Sequence, residues 1–191
     1  MKGEDCLQKK ARIVFLNGVG SVGKTSLAKA LQDVTTRPFL YVAMDAFMDM
    51  MPAGYFDHPD GFVFETIDDG GKPSVVIKSG IVAERTLRGM RQAVVAMAAA
   101  GNDLIVDEVL LGDEKAEYRQ LLAPFDVHWV GVFAPLDVLE TRERSRGDRL
   151  IGLSRWQYDK VHRDMTYDLE IDTSNATPLE CAERIKQRFG L

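Results

Sequence analysis

Eight consecutive residues, Gly18-Val19-Gly20-Ser21-Val22-Gly23-Lys24-Thr25, fit the spacing G-x-x-x-x-G-K-[ST]. Such a loop curls around phosphate: its glycines let successive N–H groups turn inward toward an anion, and a helix starting behind it adds its positive end. Lys24 is then placed to reach the β- and γ-phosphates of ATP. Thr25 can set its hydroxyl on a Mg²⁺ ion that bridges the same phosphates and offsets their charge. The pattern directly follows the apolar run Ile13-Val14-Phe15-Leu16 and precedes a helical spacing. That strand-to-helix context separates a phosphate loop from an inconsequential glycine-rich turn.

Other polar residues stand at the ends of apolar runs. Asp107 closes Leu104-Ile105-Val106, where a carboxylate can hold the metal, often through water, or simply cap the next turn. Glu108 adjoins it as a water-orienting neighbour. Asp45 follows the run 39–44 and should emerge at the C-terminal edge of a strand, where open α/β sheets bind ligands. A carboxylate there can orient an incoming hydroxyl and accept its proton. It could equally cap a helix over 46–51. Arg142, Arg146 and Arg149 are spaced four and then three apart, so a continuous helix would put them on one face to close over the nucleotide and its γ-phosphoryl oxygens. The plainer alternative is a solvated helix whose arginines pair with Glu140 and Glu143. Gly147 interrupts the spacing, and 145–152 reads as a glycine-hinged lid. His58, His128 and His162 show no metal-ligand spacing, and His128 reads as structural. Met44, Met48, Met50 and Met51 form a soft patch beside Asp45 that is either core or acceptor pocket.

The elements that must position these groups follow from hydrophobic period. Segments 11–17, 39–44, 103–106, 126–133 and 169–172 read as buried parallel strands. Between them, 81–100 carries Leu87, Met90, Val94 and Met97 at helical spacing. The last helix announces itself with Thr177-Pro178-Leu179-Glu180, a capping box with proline at N1, and its expected inner face is Leu179, Ala182, Ile185 and Phe189. Segments 62–67 and 74–77 flank Asp68-Asp69-Gly70-Gly71 as an inserted hairpin. The expectation is one domain over 1–191: α/β, with a doubly wound five-stranded parallel sheet of P-loop kinase type, a small hairpin insertion and a lid.

Composition narrows the classes. The 191 residues include 24 basic and 29 acidic side chains, a net charge of −5, which argues against nucleic acid as the main partner. Apolar residues make up 46% and charged ones 28%, so a real core can form and disorder is excluded. No apolar run approaches membrane-spanning length, and the N-terminal apolar stretch is too short for a signal-peptide core. Cys6 and Cys181 form no C-x-x-C pair, so free thiols in the cytoplasm are expected.

Over most of its length, from Ile13 to about Ile185, the chain resembles the chloramphenicol phosphotransferases and their relatives, small kinases of the P-loop superfamily. The likeness rests on Leu16-Asn17-Gly18, Met44-Asp45 with Asp49, Met51-Pro52, Val94-Val95-Ala96-Met97-Ala98, Ile105-Val106-Asp107, Trp129-Val130-Gly131-Val132 and Asp172-Thr173. Arg146-Gly147-Asp148-Arg149, followed by Val161-His162 and Tyr167-Asp168, separates it from shikimate and adenylate kinases. The resemblance implies ATP-dependent phosphorylation of an alcohol, with Asp45 as base, 18–25 as phosphate loop, and Arg146 and Arg149 as lid arginines. Members of the family phosphorylate the primary hydroxyl of chloramphenicol. The chain departs from them on the acceptor side, in the longer stretch 53–80 and in Ala46-Phe47-Met48. A nucleotide or nucleotide-sugar kinase, including zeta-toxin relatives, is the competing enzyme class. A GTPase-like switch is disfavoured because no N-K-x-D motif occurs and the D-x-x-G match, Asp68 to Gly71, falls in the hairpin turn.

Overall fold

The computed structural model describes residues 10–147 and 150–191. Its elements run β1 (Arg12–Gly18), α1 (Lys24–Val34), β2 (Phe39–Ala43), α2 (Met44–Met48), a 3-10 turn (Ala53–Tyr55), β3 (Phe62–Asp69), β4 (Lys72–Ser79) and α3 (Ile81–Ala99). Then follow β5 (Asp103–Glu108), α4 (Glu114–Leu122), β6 (Asp126–Phe133), α5 (Leu136–Arg146), α6 (Leu153–Val161), β7 (Leu169–Asp172) and α7 (Pro178–Phe189).

Ile13, Val14, Phe15 and Leu16 on β1 are each fully buried, and each contributes on the order of 1.5–3 kcal/mol by leaving water. Their alternation divides the core. Val14 and Leu16 pack with α1 and α7, while Ile13 and Phe15 pack with α3 and α4 on the opposite face. The sheet is parallel in the order β2-β5-β1-β6-β7. With β5 on one side of β1 and β6 on the other, the crossovers leave β1 in opposite directions. A crevice therefore opens at its C-terminal end, where the phosphate-loop sequence begins.

All five expected strands and the hairpin form, with boundaries moved by one or two residues. The hairpin is separate from the main sheet, and its two-residue turn, Gly70-Gly71, has both φ angles positive (62° and 82°), as a tight primed turn needs. The capping box at Thr177 and Glu180 is present. Leu179 is a correction: it is 55% exposed, and Cys181, Ala182 and Ile185 are the buried residues of α7. At 100° per residue Leu179 lies about 100° round the helix from the middle of that stripe, so its apolar character misled the pattern. The helix expected over 46–51 is also shifted. It spans Met44–Met48 with Ala43 at the N-cap, which places Asp45 in its first turn rather than at its cap.

The hairpin rests on the chain entering α6. Val75 N–H donates to Gly152 O at 3.0 Å, Arg155 lies 3.7 Å from Asp69 and also pairs with Glu140, and Lys72 meets Glu140 at 3.2 Å. Gly152 has φ 101°, and a Cβ there would fall 2.4 Å from Pro73 O. Gly152→Ala is therefore expected to cost about 1–3 kcal/mol and to lower the Tm by roughly 3–10 °C. Gly89→Ala, in the exposed middle of α3 with nothing within 4 Å of the new Cβ, should be neutral or stabilising by about 0.5–1 kcal/mol. Thermal unfolding of the two variants checks this, and equal Tm values would contradict the close packing of the hairpin on the start of α6.

Candidate active site

Residues 18–23 link β1 to α1 as a tight loop. Ser21 (φ 62°) and Gly23 (φ 99°) both occupy the left-handed region; at Gly23 a Cβ would meet nothing within 4 Å, so backbone conformation, not space, demands glycine. Gly23 is also the N-cap of α1 and offers no side-chain oxygen, which leaves the first N–H groups of α1 for an anion. Val22 is buried, and its carbonyl accepts from Thr173 Oγ1 (2.7 Å) and Arg142 Nη1 (3.3 Å). The Gly20 N–H donates to Gln157 Oε1 at 2.7 Å.

Lys24 is only 7% exposed. Its ammonium donates to Gly18 O (2.8 Å) and Val19 O (3.2 Å) and lies 3.6 Å from Asp107 Oδ1. Asp107 Oδ2 accepts from Tyr41 OH at 2.8 Å and Thr25 Oγ1 at 3.3 Å. Burial and then the Asp107 charge hold the Tyr41 proton well above its ordinary range, so the phenol stays a donor and fixes the carboxylate. The hydroxyl of Thr25 and the carboxylate of Asp107 are the hard-oxygen chemistry that suits Mg²⁺, which keeps most of its waters and takes few protein ligands beside phosphate oxygens. Among the described residues no group of three or more His, Cys, Asp or Glu could hold a metal, so a Mg²⁺ at this pair would draw its other ligands from phosphate and water. Glu108, the neighbour expected to orient water, is buried and accepts from Tyr118 OH at 2.8 Å; burial pushes its carboxyl up to about 7.

A single cavity of about 1050 Å³ runs from this group to Asp45. Asp45 lines it from the first turn of α2, close enough to Tyr41 for its charge to act there. Facing the same space are Met44 and Met48, Phe62, Phe64 and Ile77 of the hairpin, and Leu87 and Arg88 of α3. The methionine patch thus divides: Met44 and Met48 line the cavity, Met51 is buried beneath the hairpin with Phe62 and Ala83, and Met50 is 69% exposed.

The arginine segment differs from the reading in which its arginines pair with Glu140 and Glu143 across a solvated helix. α5 carries Arg142 and Arg146 and ends at Arg146, with Gly147 left-handed (φ 70°); Arg149 lies outside the described residues. Arg142 is committed to backbone, donating to Thr173 O (2.6 Å), Thr173 Oγ1 (3.0 Å) and Val22 O. Arg146 lines both the large cavity and a second cleft of about 410 Å³ beside Ser26, Leu27, Thr173 and Pro178. Glu143, expected as a surface partner, is 1% exposed: its carboxylate accepts from the N–H groups of Gly152 (2.7 Å) and Ser154 (2.9 Å) at the start of α6. Ser154 Oγ stands 2.9 Å from Glu143 Oε1 and 3.1 Å from Gly20 O. Ser154 and Gln157 thus tie α6 to the phosphate loop. Nothing in the local sequence pattern marked Ser154, Gln157 or Tyr41, or set Glu143 apart from a solvated glutamate.

Asn17, a polar residue at the end of an apolar strand, is fully buried. It donates to Tyr167 OH (2.7 Å) and Val161 O (3.1 Å) and accepts from Leu110 N (3.0 Å). Tyr167 OH in turn lies 2.8 Å from His162 Nδ1, whose ring stacks on Phe133. Burial, with help from Lys24 and Lys115, lowers the pKa of His162 to about 4 from 6.5. The unfolded chain therefore binds this proton near pH 6.5 and the folded one only near pH 4, so stability is lost as pH falls through that window. The unfolding free energy of wild type minus that of His162→Gln is expected to be largest above pH 7 and to shrink toward pH 4. Urea titrations across this range measure it; a constant difference would mean that His162 titrates normally.

The sequence matches the family described as chloramphenicol phosphotransferase-like protein over residues 11–190. A protein of Mycobacterium tuberculosis provisionally named an O-phosphotransferase is 27% identical over 187 residues, 94% of this chain and 83% of that protein. Among solved structures, a Janibacter sugar kinase (TM-score 0.63, 20% identity, 94% of this chain and 95% of that one) is similar. So is the Mycobacterium tuberculosis APS kinase in complex with AMPPNP and APS (TM-score 0.66, 15% identity, 96% and 99% covered). The shikimate kinase of Aquifex aeolicus is a third (TM-score 0.56, 12% identity, 93% and 96% covered). These three likenesses establish the P-loop kinase fold, and the match over 11–190 establishes that the chain belongs to the chloramphenicol phosphotransferase-like family of phosphotransferases.

Proposed function

We propose that this phosphotransferase moves the γ-phosphoryl group of ATP to a hydroxyl of a small molecule held beside Asp45. The observation that carries the reading is the shared cavity, which joins Lys24, Thr25 and Asp107 at one end to Asp45 and an apolar wall at the other. In this reading the backbone of Gly18, Gly20, Ser21, Val22 and Gly23 cradles the phosphates and Lys24 reaches the β- and γ-oxygens. Thr25 and Asp107 hold Mg²⁺, which when bound offsets phosphate charge. Arg146, with Arg149, covers the γ-phosphoryl group. Arg142, anchored on Val22 and Thr173, lines the second cleft, which takes the nucleoside.

Asp45 orients the acceptor hydroxyl for in-line attack and receives its proton as the new O–P bond forms. Asp45→Asn keeps the side-chain size, and because the N-cap of α2 is Ala43, it changes charge without touching a cap. It is expected to lower kcat by about 10²–10⁴ while leaving ATP affinity and Tm near wild type. Steady-state kinetics and nucleotide titration check this, and a wild-type kcat would move the acceptor-side role to Asp49 or Glu108. The family makes chloramphenicol the first compound to test for acceptor-dependent ADP release. Stimulation by nucleotides or nucleotide sugars alone would favour the nucleotide-kinase reading.

A further inference from the structure

Among the described residues, the basic side chains lining the large cavity are Lys24, Arg88, Arg91 and Arg146. Three have evident employment. Lys24 faces the phosphate loop and Asp107. Arg146 leaves α5 beside that loop and also borders the second cleft. Arg91 is neutralised by Glu117, its Nε 2.7 Å from Oε2. Arg88 is different. Glu84 stands four residues before it on α3, the favourable order for a helical ion pair, and lines the same cavity, yet Arg88 makes no ion pair within 4.0 Å to any described carboxylate. Arg88 is exposed and lines a cavity whose lining also includes Phe56, Phe62, Phe64, Ile77 and Leu87. Its planar guanidinium fork suits an oxyanion held by two N–H groups.

Resting on the acceptor reading above, we infer that the acceptor alcohol carries an oxyanion group, a carboxylate or a phosphate or sulfate ester, and that Arg88 recognises it. The acidic residues around the cavity make this selective. Asp45, Asp49 and Glu84 line the same cavity and repel an anion, and Lys24 and Arg146 face the phosphate end, so among the described residues Arg88 is the basic group left for the charged end of the acceptor, whose hydroxyl is then left toward Asp45. A neutral alcohol has no such orientation.

The test compares acceptor-dependent ADP release for hydroxy acids, phosphorylated alcohols and sulfated alcohols, each beside a neutral analogue of the same skeleton, with chloramphenicol in the neutral arm. The expected result is a kcat/KM at least about 10-fold higher for anionic members of the pairs. Arg88→Gln should raise their KM by about 10–100-fold, the worth of a charge-assisted hydrogen bond, with a smaller change in kcat, and Arg88→Lys should retain part of the preference. The carboxylate, phosphate and sulfate arms show which oxyanion is used. Equal or better use of neutral alcohols, or a preference untouched in Arg88→Gln, overturns the inference and leaves alcohol phosphorylation standing. Absence of ADP release with every alcohol overturns both.

Discussion

An ammonium group held almost out of water organises this molecule. Taking such a charge from solvent costs several kcal/mol unless it is met by oxygens. Lys24 is met by the carbonyls of the loop that precedes it and by one oxygen of Asp107. The loop must therefore fold back on its own lysine, which explains the left-handed backbone at Ser21 and Gly23. β5 must also bring Asp107 opposite Leu16, in the register observed. Tyr41 on β2 then holds the remaining oxygen of that carboxylate, so the three strands β1, β5 and β2 meet at one polar point. In the proposed reaction, a triphosphate entering there would find positive charge that is already desolvated and aimed, the condition under which electrostatic stabilisation is strongest.

A second layer keeps that point in place. Glu143 collects the first N–H groups of α6, and α6 returns Ser154 and Gln157 to Gly20. The hairpin leans on the same turn through Val75 and Gly152. Because Phe62, Phe64 and Ile77 of the hairpin also line the cavity, the chain from this apolar wall to the phosphate loop is continuous: hairpin, Gly152, Ser154, Gly20. Displacing the hairpin moves a contact that holds the phosphate loop.

Legibility in the sequence followed the range of the interactions. The phosphate loop could be read because its chemistry lies within eight consecutive residues, and the strands because burial on both faces leaves an unbroken apolar run. Asp45 and Asp107 were visible as acids ending such runs. Glu143, Ser154 and Gln157 were not, since their partners lie from nine to 137 positions away and nothing local distinguishes a buried glutamate on a charged helix from a solvated one. The spacing of Arg142 points to the nucleotide; its anchoring on the backbone of Val22 and Thr173 depends on the packing of α5 and is visible only in the fold. Leu179 failed in the opposite sense, as an apolar residue in a helix's first turn that faces water.

The most direct test of the account is Lys24→Ala, measured by ATP titration and by ADP release with an accepted alcohol, after circular dichroism has shown the variant to be folded. If the buried ammonium neutralises the phosphates, turnover falls on the order of 10³-fold or more and nucleotide binding weakens. A folded Lys24→Ala protein that binds ATP and releases ADP as the wild type does would contradict it.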